Sequence, residues 1–249
     1  MSFKDWWTNE NNPSLPKSEY MFGTRHILMI CIAVLSAIIL SIIFHNKSQK
    51  TKNIVMGILV SVLLFFEIVS RIVNLIIAKD SVFVILTPMH ICSVAVWVAI
   101  ISYFFKIKTL INFATIVALL STVAFLISPA VGINRTYISF TCLYSITSHV
   151  TGFVVSILFM TLGYANFKFK DIWKTYLCFA IMFLWGVLID FVILPGEDYM
   201  YLRNDPLELN LNFPYQILYM AIIAVYILLF YLITFIKNKI TSQNKEKIE

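Results

Sequence analysis

The chain has 249 residues, of which 60% are hydrophobic and 13% charged, with a mean hydropathy of +0.86. Soluble domains carry about 45–50% apolar and about 25% charged residues, so most of this surface must face lipid instead of water. The formal charge of +6 sits mainly in short loops and at the C-terminus, a distribution that serves orientation and headgroup contact and excludes a nucleic-acid surface.

The first 25 residues are polar, with Asp5, Glu10 and Glu19 among Lys4 and Lys17. No apolar stretch follows a basic start, so the segment does not read as a cleavable signal. Phe3, Trp6 and Trp7 read as an interfacial aromatic anchor on the extracytoplasmic side. Crossing a bilayer takes about 20 apolar residues in a helix. Seven runs qualify, at 26–45, 54–78, 84–105, 109–131, 140–164, 173–194 and 214–236. The expected fold is therefore an all-α membrane protein of seven transmembrane helices forming one domain over 26–236. Residues 237–249 follow as a basic cytoplasmic tail. Only the connection 195–213 is long enough to hold structure of its own.

Twelve lysines (47, 50, 52, 106, 108, 168, 170, 174, 237, 239, 245 and 247) fall on one side of this topology. Six basic residues (Lys4, Lys17, Arg25, Lys79, Arg135 and Arg203) fall on the other. The richer side is cytoplasmic by the positive-inside rule. That puts the N-terminus outside and the C-terminus in the cytoplasm, consistent with an odd number of spans.

Ionisable groups inside a span cost about 2.5–3.5 kcal/mol each near the bilayer centre, so they need a partner or a purpose. The second run contains Glu67 and Arg71, with Asn74 following. The third contains His90 and Cys92 after Thr87-Pro88. The fifth contains His149 with Ser145 and Ser148, and the sixth Asp190. At 1.5 Å per residue these groups share one layer, about 6–17 Å below the outer boundary. Glu67 and Arg71 are spaced i, i+4 and form an ion pair on one helical face. The pair either locks helix packing or offers a guanidinium fork to a lipid phosphate or carboxylate.

On a regular helix His90 and Cys92 point about 200° apart, so a shared pocket requires Pro88 to distort the turn. As a metal site this two-residue donor set has no second ligand pair, so no metal or other cofactor is expected. As a nucleophile, Cys92 needs a base to form thiolate. His149, on another helix at similar depth, is the first candidate and His90 the second. The other cysteines, Cys31, Cys142 and Cys178, sit in apolar runs without a CxxC pattern and read as small buried hydrophobes.

The run Leu86-Thr-Pro-Met-His-Ile-Cys92 resembles the L-P-x-H-x-C stretch of the YwaF-type integral membrane proteins, whose animal relatives are the transmembrane protein 164 acyltransferases. The stretch Asp198-Tyr-Met-Tyr-Leu-Arg203, with Pro206 and Phe213-Pro214-Tyr215, is similar to that family's N-Y-M-x-L…P…G-P-W-P-W-Y segment. His149 stands where the family has a histidine. Two departures are visible: Asp198 replaces Asn, and the Gly-Pro-Trp-Pro-Trp segment is reduced to Asn212-Phe213-Pro214-Tyr215.

The resemblance implies a seven-helix lipid acyltransferase in the cell membrane, with Cys92 holding the acyl chain as a thioester and His149 as base. Arg71, Glu67, Asn74, Ser148, Asp190 and Tyr199 would line the substrate site. A phospholipid is the expected acyl donor, because acyl-CoA is not available on the outer side. The acceptor is a lysophospholipid or a lipoprotein amine. Three rival readings use the same residues or none: a small-solute transporter with an intramembrane polar pocket, a lipid hydrolase with water as acceptor, and a scaffold without chemistry. No inverted repeat supports the transporter.

Overall fold

The helix boundaries follow from a few local signals. Ser139 begins one helix by accepting the Cys142 amide on its hydroxyl, and Ser81 does the same for Val84, satisfying amides that the first turn leaves unpaired. Gly163, at φ 84°, lies just past the end of the helix that Ser139 starts, in the left-handed conformation that favours glycine. The computed structural model describes residues 3–8, 11–77, 81–127, 129, 133–200, 202–203 and 214–246.

Ten α-helices follow in order among the described residues. They are α1 (Phe3–Thr8), α2 (Lys17–Tyr20), α3 (Thr24–His45), α4 (Gln49–Ile77), α5 (Val82–Leu86), α6 (Ile91–Phe104), α7 (Lys108–Ile127), α8 (Phe140–Thr161), α9 (Ile172–Val187) and α10 (Tyr215–Glu246). A 3-10 turn at Phe169–Asp171 leads into α9 and a π-helical turn at Leu188–Ile193 ends it. Six apolar segments are long enough to cross a membrane: α3, α4, α7, α8, Phe169–Ile193 and the Tyr215–Ile236 part of α10. Three of the last residues of the expected 109–131 run (128, 130 and 131) lie outside the described residues.

The expected continuous third span, 84–105, is not continuous. It divides into α5, an extended stretch at Thr87–His90, and the fourteen-residue α6. Pro88 is the physical reason, since it lacks an amide donor and disfavours helix in the residue before it. Thr87 accordingly has extended angles (φ −88°, ψ 135°), and so does His90 (φ −77°, ψ 151°).

Helices α7 and α8 form the centre, with 56% and 50% of their spanning residues buried, against 11% for α10 at the periphery. Helices α3 and α4 flank α8, α6 and α9 flank α7, and α10 packs on α9. Large side chains such as Ile42 and Ile76 are more than 70% exposed on the outer faces, which is stable only against hydrocarbon.

Polar ties fix the helix ends. The amide of Asn112 on α7 donates to the Asn166 carbonyl and its oxygen accepts the Asn166 amide, both at 2.9 Å. His26 accepts the Phe22 amide at Nδ1 and donates from Nε2 to the Leu126 carbonyl. Both of its ring nitrogens are therefore satisfied. At the same end of the bundle the polar N-terminal segment folds over the start of α8. Trp7 packs on Phe140 with centroids 4.8 Å apart, and Asn12 exchanges hydrogen bonds with Thr136 and Tyr137.

Candidate functional site

Opening a helix at membrane depth frees backbone groups that lipid cannot satisfy. Two carbonyls freed by the Pro88 break are taken by side chains from neighbouring helices. Arg71 of α4 donates from Nη1 to the Ile85 carbonyl, and Trp185 of α9 donates from Nε1 to the Pro88 carbonyl at 3.2 Å. The break is thus built into the protein rather than exposed to hydrocarbon.

Glu67 organises the cluster beside it. Its side chain is 2% exposed and its Oε2 lies 3.1 Å from Arg71 Nη2, while the Arg71 side chain is 14% exposed. Its Oε1 accepts the Tyr144 hydroxyl of α8 at 2.6 Å. Arg71 also reaches the Ser93 hydroxyl of α6 at 3.4 Å and lies 5.3 Å above the Trp97 ring. The expected ion pair is therefore present, and it joins α4 to the helix break, α6 and α8.

Cys92 is half-buried in the first turn of α6. The next residue, Ser93, takes Arg71 on its hydroxyl, so Cys92 adjoins the Glu67–Arg71 pair in sequence and on the same helical turn. His90 caps α6 from outside the helix, so the 200° separation expected of a regular helix does not apply. Its Nδ1 donates to the Tyr199 carbonyl at 3.0 Å, and its ring meets Tyr199 edge-on. His149 donates from Nδ1 to the Ser145 carbonyl at 2.7 Å and stacks on Phe125 of α7, centroids 3.7 Å apart. Because a carbonyl can only accept, Nδ1 of each ring carries a proton, and in the neutral ring the lone pair then falls on Nε2. Among the described residues no hydrogen bond joins Cys92 to either histidine.

Asp190 plays a different part. It is fully buried in the π-helical turn, and its carboxylate accepts the amides of Tyr199 at 3.0 Å and Met200 at 3.1 Å. Asp198 accepts the amides of Leu202 and Arg203, closing the next turn. The returning loop is thereby laid against α9, where Gly186 leaves room for it. A Cβ there would stand 2.8 Å from Met200 Cγ. Gly186→Ala is expected to cost about 1–3 kcal/mol through overpacking, read as a lower unfolding temperature in detergent. Met200→Ala should restore part of it.

Asn74, the remaining candidate, is exposed near the end of α4 and makes no contact with the cluster among the described residues. Tyr201, Pro206 and Phe213 of the quoted motifs lie outside the described residues. Tyr144 and Trp97 join the cluster without having been singled out in the sequence. Each is an aromatic residue in an apolar run, and only the pairing of helices distinguishes it from a packing residue. Two surface grooves, one along Asn53–Phe66 of α4 and one around Tyr20 and Arg25, are lined by none of these residues.

Long apolar helices around a buried polar cluster define a multi-pass α-helical membrane protein. The model of the TMEM164 family matches residues 21–234. The chain belongs to that family. No curated protein and no solved structure matches it.

Proposed function

We propose that the protein is a lipid acyltransferase of the cell membrane, its N-terminus outside, in which Cys92 carries the acyl group as a thioester. The observation that carries this reading is the placement of Cys92. It occupies the first turn of the helix that restarts after Pro88, beside free first-turn amides and the buried Glu67–Arg71–Tyr144 cluster. First-turn amides are suited to developing negative charge, and a thiol in the outer half meets phospholipid esters directly.

In the first half-reaction the Cys92 proton passes to Nε2 of His149, directly or through one water, and the sulfur attacks the ester carbonyl of a phospholipid. The carbon–oxygen bond breaks and the departing alkoxide takes the proton back, leaving a lysophospholipid and a thioester. In the second, the acceptor hydroxyl or amine gives its proton to the imidazole and attacks the thioester carbon. The carbon–sulfur bond breaks and the thiolate regains its proton. With its Nδ1–H committed to the Ser145 carbonyl, His149 acts through the lone pair of Nε2.

Reconstituted protein given a phospholipid with a labelled acyl chain and a lysophospholipid acceptor should move label to the acceptor faster than it releases free fatty acid. Cys92→Ala is expected to lower transfer by about a thousandfold or more, and mass spectrometry of the wild type should find the acyl adduct on Cys92. His149→Ala is expected to lose about 10²–10⁴-fold, more than His90→Ala. Wild-type transfer by Cys92→Ala would refute the nucleophile, and a larger loss in His90→Ala would move the base to His90.

A further inference from the structure

Three buried hydrogen-bond donors around the Glu67–Arg71 pair have no partner among the described residues: Nε of Arg71, Nε1 of Trp97 and the hydroxyl of Ser148. Native proteins leave few such groups, and each one asks for an explanation. All three belong to residues on the elements that meet around this pair. The guanidinium of Arg71 lies over the Trp97 ring. Ser148, 5% exposed, follows Tyr144 by one turn of α8, and Tyr144 holds Glu67 of α4. One turn further, a Cβ on Gly152 would stand 3.2 Å from Thr122 of α7. Ser148 therefore faces the wedge between α4 and α7, and α6, which carries Cys92 and Trp97, packs against both of those helices.

Charge narrows what would fill that wedge. Both oxygens of Glu67 already accept bonds, one of them from Arg71, so the guanidinium charge is met within the protein. What remains unpaired is a set of donors around a neutral ion pair. A phosphate would bring a buried charge with nothing to balance it. An uncharged acceptor oxygen suits the set.

We propose that Arg71, Trp97 and Ser148 receive the carbonyl oxygen of a phospholipid fatty ester and hold its carbon beside Cys92. The assignment takes its chemistry from the acyl-transfer reading and adds the substrate group and the residues that recognise it. Donors fixed in a water-poor site would also meet the oxyanion as the sulfur attacks, when the carbonyl oxygen gains charge.

The test is a binding measurement that needs no turnover. Full-length Cys92→Ala protein in detergent is loaded with radiolabelled diacyl phosphatidylcholine. It is then challenged with the unlabelled diacyl lipid or with its dialkyl ether analogue, which has the same headgroup and chains but no carbonyl. The diacyl lipid should displace label about tenfold better, the order expected when buried donors are left unmade. Adding Ser148→Ala or Trp97→Phe should cut that preference several-fold and leave the ether's affinity unchanged. Equal displacement by the two lipids would overturn the proposal and leave the wedge to water. So would a preference untouched by both substitutions. If Trp97→Phe fails to fold, Ser148→Ala, which deletes one oxygen, decides alone. The acyl-transfer reading fails separately, if Cys92→Ala keeps transferring acyl chains, and that result leaves the ester preference standing.

Discussion

Glu67→Ala should be the most destabilising single substitution in the bundle, at about 3–5 kcal/mol. The carboxylate is buried and holds one donor on each oxygen, Arg71 on one and Tyr144 on the other. Removing it strands a charged guanidinium and a phenol in an apolar interior. Glu67→Gln keeps an acceptor for Tyr144 but leaves the charge uncompensated, so it should recover only part of the loss. Replacing both charged residues by leucine removes the stranded charge. The double variant should therefore lose less than the two single variants together, with a coupling of about 0.5–3 kcal/mol. Some loss should persist, because the Ile85 carbonyl freed by the helix break also depends on Arg71. Thermal unfolding of the wild type, Glu67→Leu, Arg71→Leu and the double variant in one detergent measures the cycle. Strict additivity would show that the pair does not act as a unit.

That prediction joins a feature legible in the sequence to one that was not. The i, i+4 spacing and the intramembrane position of Glu67 and Arg71 already dictate an ion pair, and it forms as read. Sequence periodicity is silent on what the remaining donors and acceptors do, because their partners lie on other helices. Tyr144 and Ser93 come from α8 and α6, and the Ile85 carbonyl exists as an acceptor only because the third apolar run breaks. Thr87-Pro88-Met89 is apolar enough to pass as span, so hydropathy reads through it. Pro88 marks the distortion but not its extent. Six of the seven expected spans were legible for the opposite reason: their length and apolarity are local properties that lipid imposes on each segment. His149 stood out as an ionisable residue within an apolar run, but its ring orientation, flat on Phe125, is set by how α7 meets α8.

Asp190 shows how a depth argument can group residues that belong to different networks. Its depth placed it with the candidate substrate-lining groups, and the structure binds its carboxylate to the backbone of the loop returning from α9. The Tyr199 peptide is the hinge of this arrangement. Its amide is held by Asp190 and its carbonyl holds Nδ1 of His90. Asp190→Ala would leave one buried and one part-buried amide unpaired, each worth about 1–3 kcal/mol. Asp190→Asn, which keeps one acceptor oxygen, should fall between Ala and the wild type. The loss should be local first, with faster proteolytic cleavage between residues 194 and 203. The ring-nitrogen NMR signals of His90 should also shift as the Tyr199 carbonyl withdraws and the tautomer is no longer fixed. Glu67 belongs to the other network, so the Asp190 and Glu67 substitutions should add within about 0.5 kcal/mol. A loss in Asp190→Ala no larger than that of a surface change, about 0.5 kcal/mol, would mean that the loop is held by packing against Gly186 alone. His90 would then owe its orientation to α6 and not to the carboxylate two bonds behind it.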